Sequence, residues 1–88
     1  MKVIFKKQFY KDLSNIPGPF RQKIEKIAFE ELPGYSHIAE AGNIEKLKGY
    51  NNYFRIRVGD YRIGIYLEDD GINVERVLHR KEIYKFFP

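Results

Sequence analysis

The spacing of apolar residues along the chain changes twice. Val3-Ile4-Phe5 is a short β-prone run and predicts a first strand. From Lys7, residues Phe9, Leu13 and Ile16 recur at near-helical intervals, which predicts an amphipathic helix from Lys7 to Asn15. Pro17-Gly18-Pro19 ends it, because proline cannot continue a helix. Phe20, Ile24, Ile27 and Ala28 repeat at intervals of three and four, with charged residues between them. That predicts a second helix from Phe20 to Leu32, stopped by Pro33-Gly34. Tyr35 to Asn43 reads as a loop, and beyond Ile44 the period becomes two. Strands are predicted at Tyr53 to Val58, Tyr61 to Leu67 and Ile72 to Leu78, with turns at Gly59-Asp60 and Asp69-Asp70-Gly71. The order β-α-α-β-β-β predicts an α+β fold, with an N-terminal strand and helical hairpin packed on an antiparallel β-sheet. One domain is expected over residues 1–88.

Following the alternation across the Gly59-Asp60 turn sets a register. Val58 faces Tyr61, Arg57 faces Arg62, Arg55 faces Gly64, and Tyr53 faces Tyr66. One face then carries Arg55, Arg57 and Arg62 between two tyrosines. Like charges directly opposite destabilise a sheet by up to about 1 kcal/mol. Guanidinium groups gathered this way suit a phosphate or carboxylate, which arginine grips bidentately. The alternative is an ordinary solvated polar face. Gly64 leaves a gap in this face that would admit a ligand backbone, or else marks a twist or bulge. If Asp70-Gly71 is the second turn pair, Leu67 faces Val74 and Arg62 faces His79. His79 and Glu75 then join the arginine face and Arg76 falls on the apolar one, unless a bulge near Glu75-Arg76 intervenes.

Composition narrows the possibilities. Among 88 residues, 43% are hydrophobic and 16% aromatic, enough bulky material to fill a core and to argue against disorder. There is no cysteine and there are two histidines, so neither a disulfide nor a zinc site nor another cofactor is expected. No segment approaches the roughly 20 apolar residues of a membrane span, and the N-terminal apolar run is too short for a signal peptide, so a cytoplasmic location is expected. The net charge of +4 favours a polyanionic partner, either nucleic acid or an acidic protein segment.

Three stretches carry a resemblance. Leu47-Lys48-Gly49, the run from Tyr53 to Ile63, and Val77-Leu78-His79-Arg80-Lys81-Glu82-Ile83-Tyr84 together resemble RelE toxins of the RelE/ParE superfamily, found in type II toxin–antitoxin systems. The resemblance implies a metal-independent endoribonuclease that enters the ribosomal A site and cuts messenger RNA there. It implies a cognate antitoxin that wraps the toxin with a helix and an extended tail. Arg62 matches the arginine of the family's Tyr-Arg motif, Arg80 the arginine before the C-terminal segment, and Tyr84 the tyrosine that stacks on a base. Arg55 and Arg57 stand where some members carry lysines, a departure that matters because arginine does not give up its proton. Glu45-Lys46-Leu47-Lys48 resembles the Glu-x-Leu-Lys of the YoeB-like branch, whose glutamate is the proposed base.

Cleavage of RNA without metal uses the 2′-hydroxyl as nucleophile. It requires a base, charge stabilisation at the phosphate and an acid for the leaving oxygen. Arg55, Arg57, Arg62 and Arg80 suit the second need. Glu45 is a candidate base, or a surface carboxylate pairing Lys48. His79 is a candidate base or acid, or a strand-end histidine without a catalytic part. Lys46, Lys48, Tyr53 and Tyr66 are candidate RNA contacts. The competing readings are a ParE-like toxin that inhibits DNA gyrase, and a non-catalytic module whose basic face holds an acidic antitoxin. The arginine face is expected to be the antitoxin's landing site as well. Phe86-Phe87 either docks on the core or helps form a groove for an antitoxin helix.

Overall fold

The computed structural model describes residues 1–88. Strand β1 (Lys2–Phe5) leads into α1 (Lys7–Ser14) and α2 (Gly18–Glu25), and the helical path continues in wider π-type turns over Lys26–Glu31 and a 3-10 turn at Leu32–Gly34. A short 3-10 turn at Ile38–Glu40 precedes β2 (Ile44–Lys46), β3 (Tyr53–Val58), β4 (Tyr61–Glu68), β5 (Gly71–His79) and the one-turn helix α3 (Ile83–Phe86). The helix starting at Gly18 corrects the expected start at Phe20. Pro19 sits in its first turn, where a missing N–H costs nothing.

The sheet has five strands in the order β1-β5-β4-β3-β2. Two features differ from the pattern-based reading. The N-terminal strand does not pack on the sheet but joins it, parallel to β5. A three-residue edge strand, β2, pairs antiparallel with β3, and it is too short for alternation to reveal.

One apolar cluster lies between the helices and one sheet face. Phe9, Leu13 and Ile16 from the first helical segment, and Ile24, Ala28 and Leu32 from the second, close over Ile56, Ile63, Ile65, Ile72, Val74 and Val77. The alternation of β3 and β4 dictates this, because the same parity that buries Ile56 and Ile63 turns Arg55, Arg57 and Arg62 to the other face.

β1 pairs with β5 only as far as Phe5 opposite Val74. Beyond that point the edge of β5 is open, and Asp12 of α1 takes over. Its buried carboxylate accepts the Val77 N–H at 3.2 Å, together with two bonds from Arg76 at 2.7 and 3.1 Å. An uncapped strand edge is thereby satisfied by a side chain, as a buried N–H requires.

Candidate functional site

The register across β3 and β4 is the expected one: Arg57 opposite Arg62, Arg55 opposite Gly64, Tyr53 opposite Tyr66. The two tyrosine rings pack at 4.9 Å between centroids. Gly59 takes a positive φ of 59° in the turn, which a residue without Cβ tolerates.

Across β4 and β5 the expected register is corrected. The turn pair is Asp69-Asp70, so Leu67 faces Ile72, and a bulge at Gly64/Ile65 then resets the parity. Arg76 lies opposite Gly64 rather than on the apolar face. Leu78, not His79, lies opposite Arg62, and His79 pairs with Tyr61. Tyr61 in turn packs against Phe20 of α2, so His79 belongs to the rim of the helix-bearing face, its ring 5.6 Å from that of Tyr61. His79 is therefore removed from the arginine face. β5 ends at His79, which frees Arg80 from strand parity and lets its N–H donate to the Asp60 carbonyl at 2.7 Å.

On the arginine face the side chains form two groups. The first lies beside the β3–β4 turn. The Arg62 guanidinium donates to the carbonyls of Gly59 at 2.8 Å and Tyr61 at 2.9 Å, and Arg80 pairs with Asp60 at 3.6 Å. Arg57 is exposed and reaches sideways to the Asn43 amide oxygen at 3.4 Å. Internal acceptors thus hold both Arg62 and Arg80 near the turn, which offsets the like-charge contact between Arg57 and Arg62.

The second group surrounds a cleft of about 360 Å³ lined by Leu47, Lys48, Tyr50, Arg55, Tyr84 and Phe87 together with Pro88. Arg55 is its floor. Its side chain is 18% exposed, its Nη2 lies 3.7 Å from Glu45 Oε1, and its Nε is buried without an acceptor. The guanidinium carbon sits 5.0 Å from the centre of the Tyr84 ring, within cation–π range. Glu45 is on the arginine face because β2 places it opposite Arg55. Its partner is therefore Arg55, not the Lys48 that sequence proximity suggested. The same register puts Lys46 opposite Phe54, on the helix-bearing side. Tyr53 and Tyr66 are half-buried, and Tyr53 packs against Tyr50 and Phe87.

The gap at Gly64 admits no ligand backbone. Phe87 fills it: a Cβ on Gly64 would lie 2.8 Å from three atoms of the Phe87 ring. Phe87, Ile83 and Leu47 form a second small apolar cluster on the arginine face, with Tyr53 and Leu78 against it. Sequence reasoning also missed Tyr50, which lines the cleft, and the Asp12–Arg76 pair. The first carries no motif, and the second joins positions 64 residues apart.

Comparison with known proteins gives this arrangement its context. Residues 3–84 match the family described as the ParE toxin of the type II toxin-antitoxin system parDE. Toxin RelE3 of Methanocaldococcus jannaschii is 51% identical over 89 aligned residues, which cover all of both chains. The toxin–antitoxin complex RelB-RelE of Methanococcus jannaschii contains a chain that superposes with a TM-score of 0.82 at 48% identity, covering 97% of this chain and 99% of that one. The complex RelBE2 of Mycobacterium tuberculosis matches in fold, with a TM-score of 0.69 at 24% identity over 89% of this chain and 95% of that chain. By its full-length sequence kinship and its sheet-and-hairpin architecture, this chain belongs to the RelE/ParE family of type II toxin–antitoxin toxins, and within it to the RelE-type toxins.

Proposed function

We propose that the protein is a ribosome-dependent endoribonuclease that cuts messenger RNA in the A site and so stops translation. The observation that carries this reading is the cleft in which Arg55, Tyr84 and Lys48 meet, with Glu45 paired to Arg55. The exposed Tyr84 ring offers a face for an unpaired base. The Arg55 guanidinium at the floor of the cleft suits a phosphate oxygen.

In this mechanism the 2′-oxygen attacks the adjacent phosphorus and the bond to the 5′-oxygen breaks, leaving a 2′,3′-cyclic phosphate and a 5′-hydroxyl. Glu45, half-exposed beside Arg55, accepts the proton of the attacking hydroxyl. Arg55, with Arg62 and Arg80 further along the face, stabilises the charge that builds on the phosphate oxygens. Arginine does not deprotonate, so the leaving oxygen draws its proton from elsewhere. Lys48 is the cleft ammonium able to supply it. His79, on the opposite face, has no part in this scheme.

The relatives crystallised as complexes with RelB antitoxins, and a cognate antitoxin is proposed here in the same role. The basic face attracts a carboxylate-bearing segment, which would exclude RNA by occupying the same arginines. A cytoplasmic site of action accords with both ribosome and antitoxin, and no helix is long and apolar enough to cross a membrane.

The competing reading is gyrase inhibition, favoured by the ParE description of the matching family. Primer extension on messenger RNA after induction separates the two. Codon-phased cuts within translated regions support the nuclease, and intact RNA with DNA damage supports the rival.

A further inference from the structure

We propose that Gly64 and Phe87 are positioning residues that together set Tyr84 over Arg55, an inference that rests on the cleft being the RNA site. Tyr84 is 73% exposed, and its one aromatic or cationic contact is the Arg55 guanidinium at 5.0 Å, so its own packing does not fix its place. It rides on α3, a helix of four residues. A helix that short does not hold itself together. Its position must come from what its neighbours are anchored to.

The anchors are on either side of Tyr84. Ile83 is fully buried, and Phe87, whose N–H donates to the Ile83 carbonyl at 2.9 Å, is 6% exposed. The Phe87 ring lies directly over Gly64, where any Cβ would meet three ring atoms at 2.8 Å. Gly64 does not have the positive φ that glycine alone adopts easily, so the turn of the backbone is not why glycine stands there. A glycine within a strand weakens it, and here the space it leaves is what the ring uses. Its cross-strand partner, Arg76, lies beneath the preceding residue, with the guanidinium carbon 5.4 Å from the centre of the Phe86 ring. Two paired positions of the sheet, Gly64 and Arg76, therefore receive two consecutive phenylalanines. Arg76 is itself fixed by Asp12. The last turn of the chain is located by the sheet, and Tyr84 with it.

A methyl group at Gly64 cannot move the sheet, but it can displace the Phe87 ring, which follows a helix of a single turn. Gly64→Ala should thus keep the fold and shift Tyr84. The test is a double-mutant cycle of Gly64→Ala and Tyr84→Ala, read as single-turnover cleavage of messenger RNA on purified ribosomes. Phe87→Ala is run through the same cycle, and an NMR spectrum follows the Arg55 Nε–H, which feels the Tyr84 ring. Gly64→Ala should slow cleavage by at least about tenfold in the wild-type background, as small misplacements at a reacting centre do. In the Tyr84→Ala background it should change the rate by less than about twofold, because the two changes act through one group. Rescue of Gly64→Ala by Phe87→Leu, which replaces the ring with a smaller apolar side chain, supports the same positioning. Equal losses in both backgrounds, or an Arg55 resonance unmoved by Gly64→Ala and Phe87→Ala, overturn it. If the wild type cleaves nothing while that resonance still moves on substitution, the positioning stands and the nuclease reading falls.

Discussion

Asp12 grips Arg76 through both carboxylate oxygens, at 2.7 and 3.1 Å, and the same carboxylate receives the Val77 N–H. The Asp12 side chain is 6% exposed and that of Arg76 19%, so water screens this pair poorly. One contact thereby ties α1 to the open edge of β5 and supports the platform under Phe86. Removing one member of a buried pair leaves the other charge uncompensated, at a cost of about 3–5 kcal/mol. Asp12→Ala is expected to lose about 3 kcal/mol or more, measured by urea unfolding. A loss below about 1 kcal/mol would show that the pair behaves like an exposed one.

Arg62 and Arg80 differ from Asp12 in what they hold. Their partners are turn carbonyls and an exposed carboxylate. Arg62→Ala and Arg80→Ala are expected to change stability by no more than about 1 kcal/mol. Cleavage should fall by about a hundredfold or more, the usual scale for losing a group that stabilises transition-state charge. Single-turnover kinetics beside thermal unfolding checks both halves. A variant that unfolds where the wild type is folded would make the arginine structural.

For Glu45 the prediction concerns the proton. Glu45→Gln keeps size and polarity but cannot accept a proton, so cleavage should drop by about 10²–10⁴-fold while ribosome binding persists. Retained activity would assign the base elsewhere in the cleft.

A pH effect arises outside the site. The backbone N–H groups of His37 and Ser36 donate to the Glu40 carboxylate, at 2.9 and 2.6 Å, and hold it below its ordinary value of 4.5. A carboxyl whose folded value is depressed stabilises the fold above its unfolded value, and loses that contribution as pH falls through the folded one. Stability should therefore decline on acidification below 4.5, and Glu40→Gln should decline less over that range. Parallel urea titrations of both proteins across the window measure the difference. Identical slopes would remove Glu40 from the acid limb.

The sequence made the β3–β4 pairing legible for a physical reason. A two-residue turn and strict alternation leave one register that buries Ile56 and Ile63 together, and the faces of Arg55, Arg57 and Arg62 follow from it. The β4–β5 pairing was not legible. Asp69-Asp70-Gly71 offers two turn pairs, and Gly64 suits a ligand gap as well as the bulge that the structure places at Gly64/Ile65. One extra residue inverts parity, so His79 and Arg76 both changed face. The sides of Glu45 and Lys46 were not legible either, because the three residues of β2 carry too little alternation to fix a side. The role of Phe87 depends on a notch made by residue 64, which no local pattern connects to the chain's end.

Ribosome-dependent cleavage is tested most simply by primer extension on a messenger RNA incubated with the purified toxin, with and without programmed ribosomes. A ribosome-dependent nuclease gives cuts phased to codons, present only with ribosomes and abolished by Arg62→Ala. Intact RNA on ribosomes, together with arrested gyrase in a supercoiling assay, would contradict it.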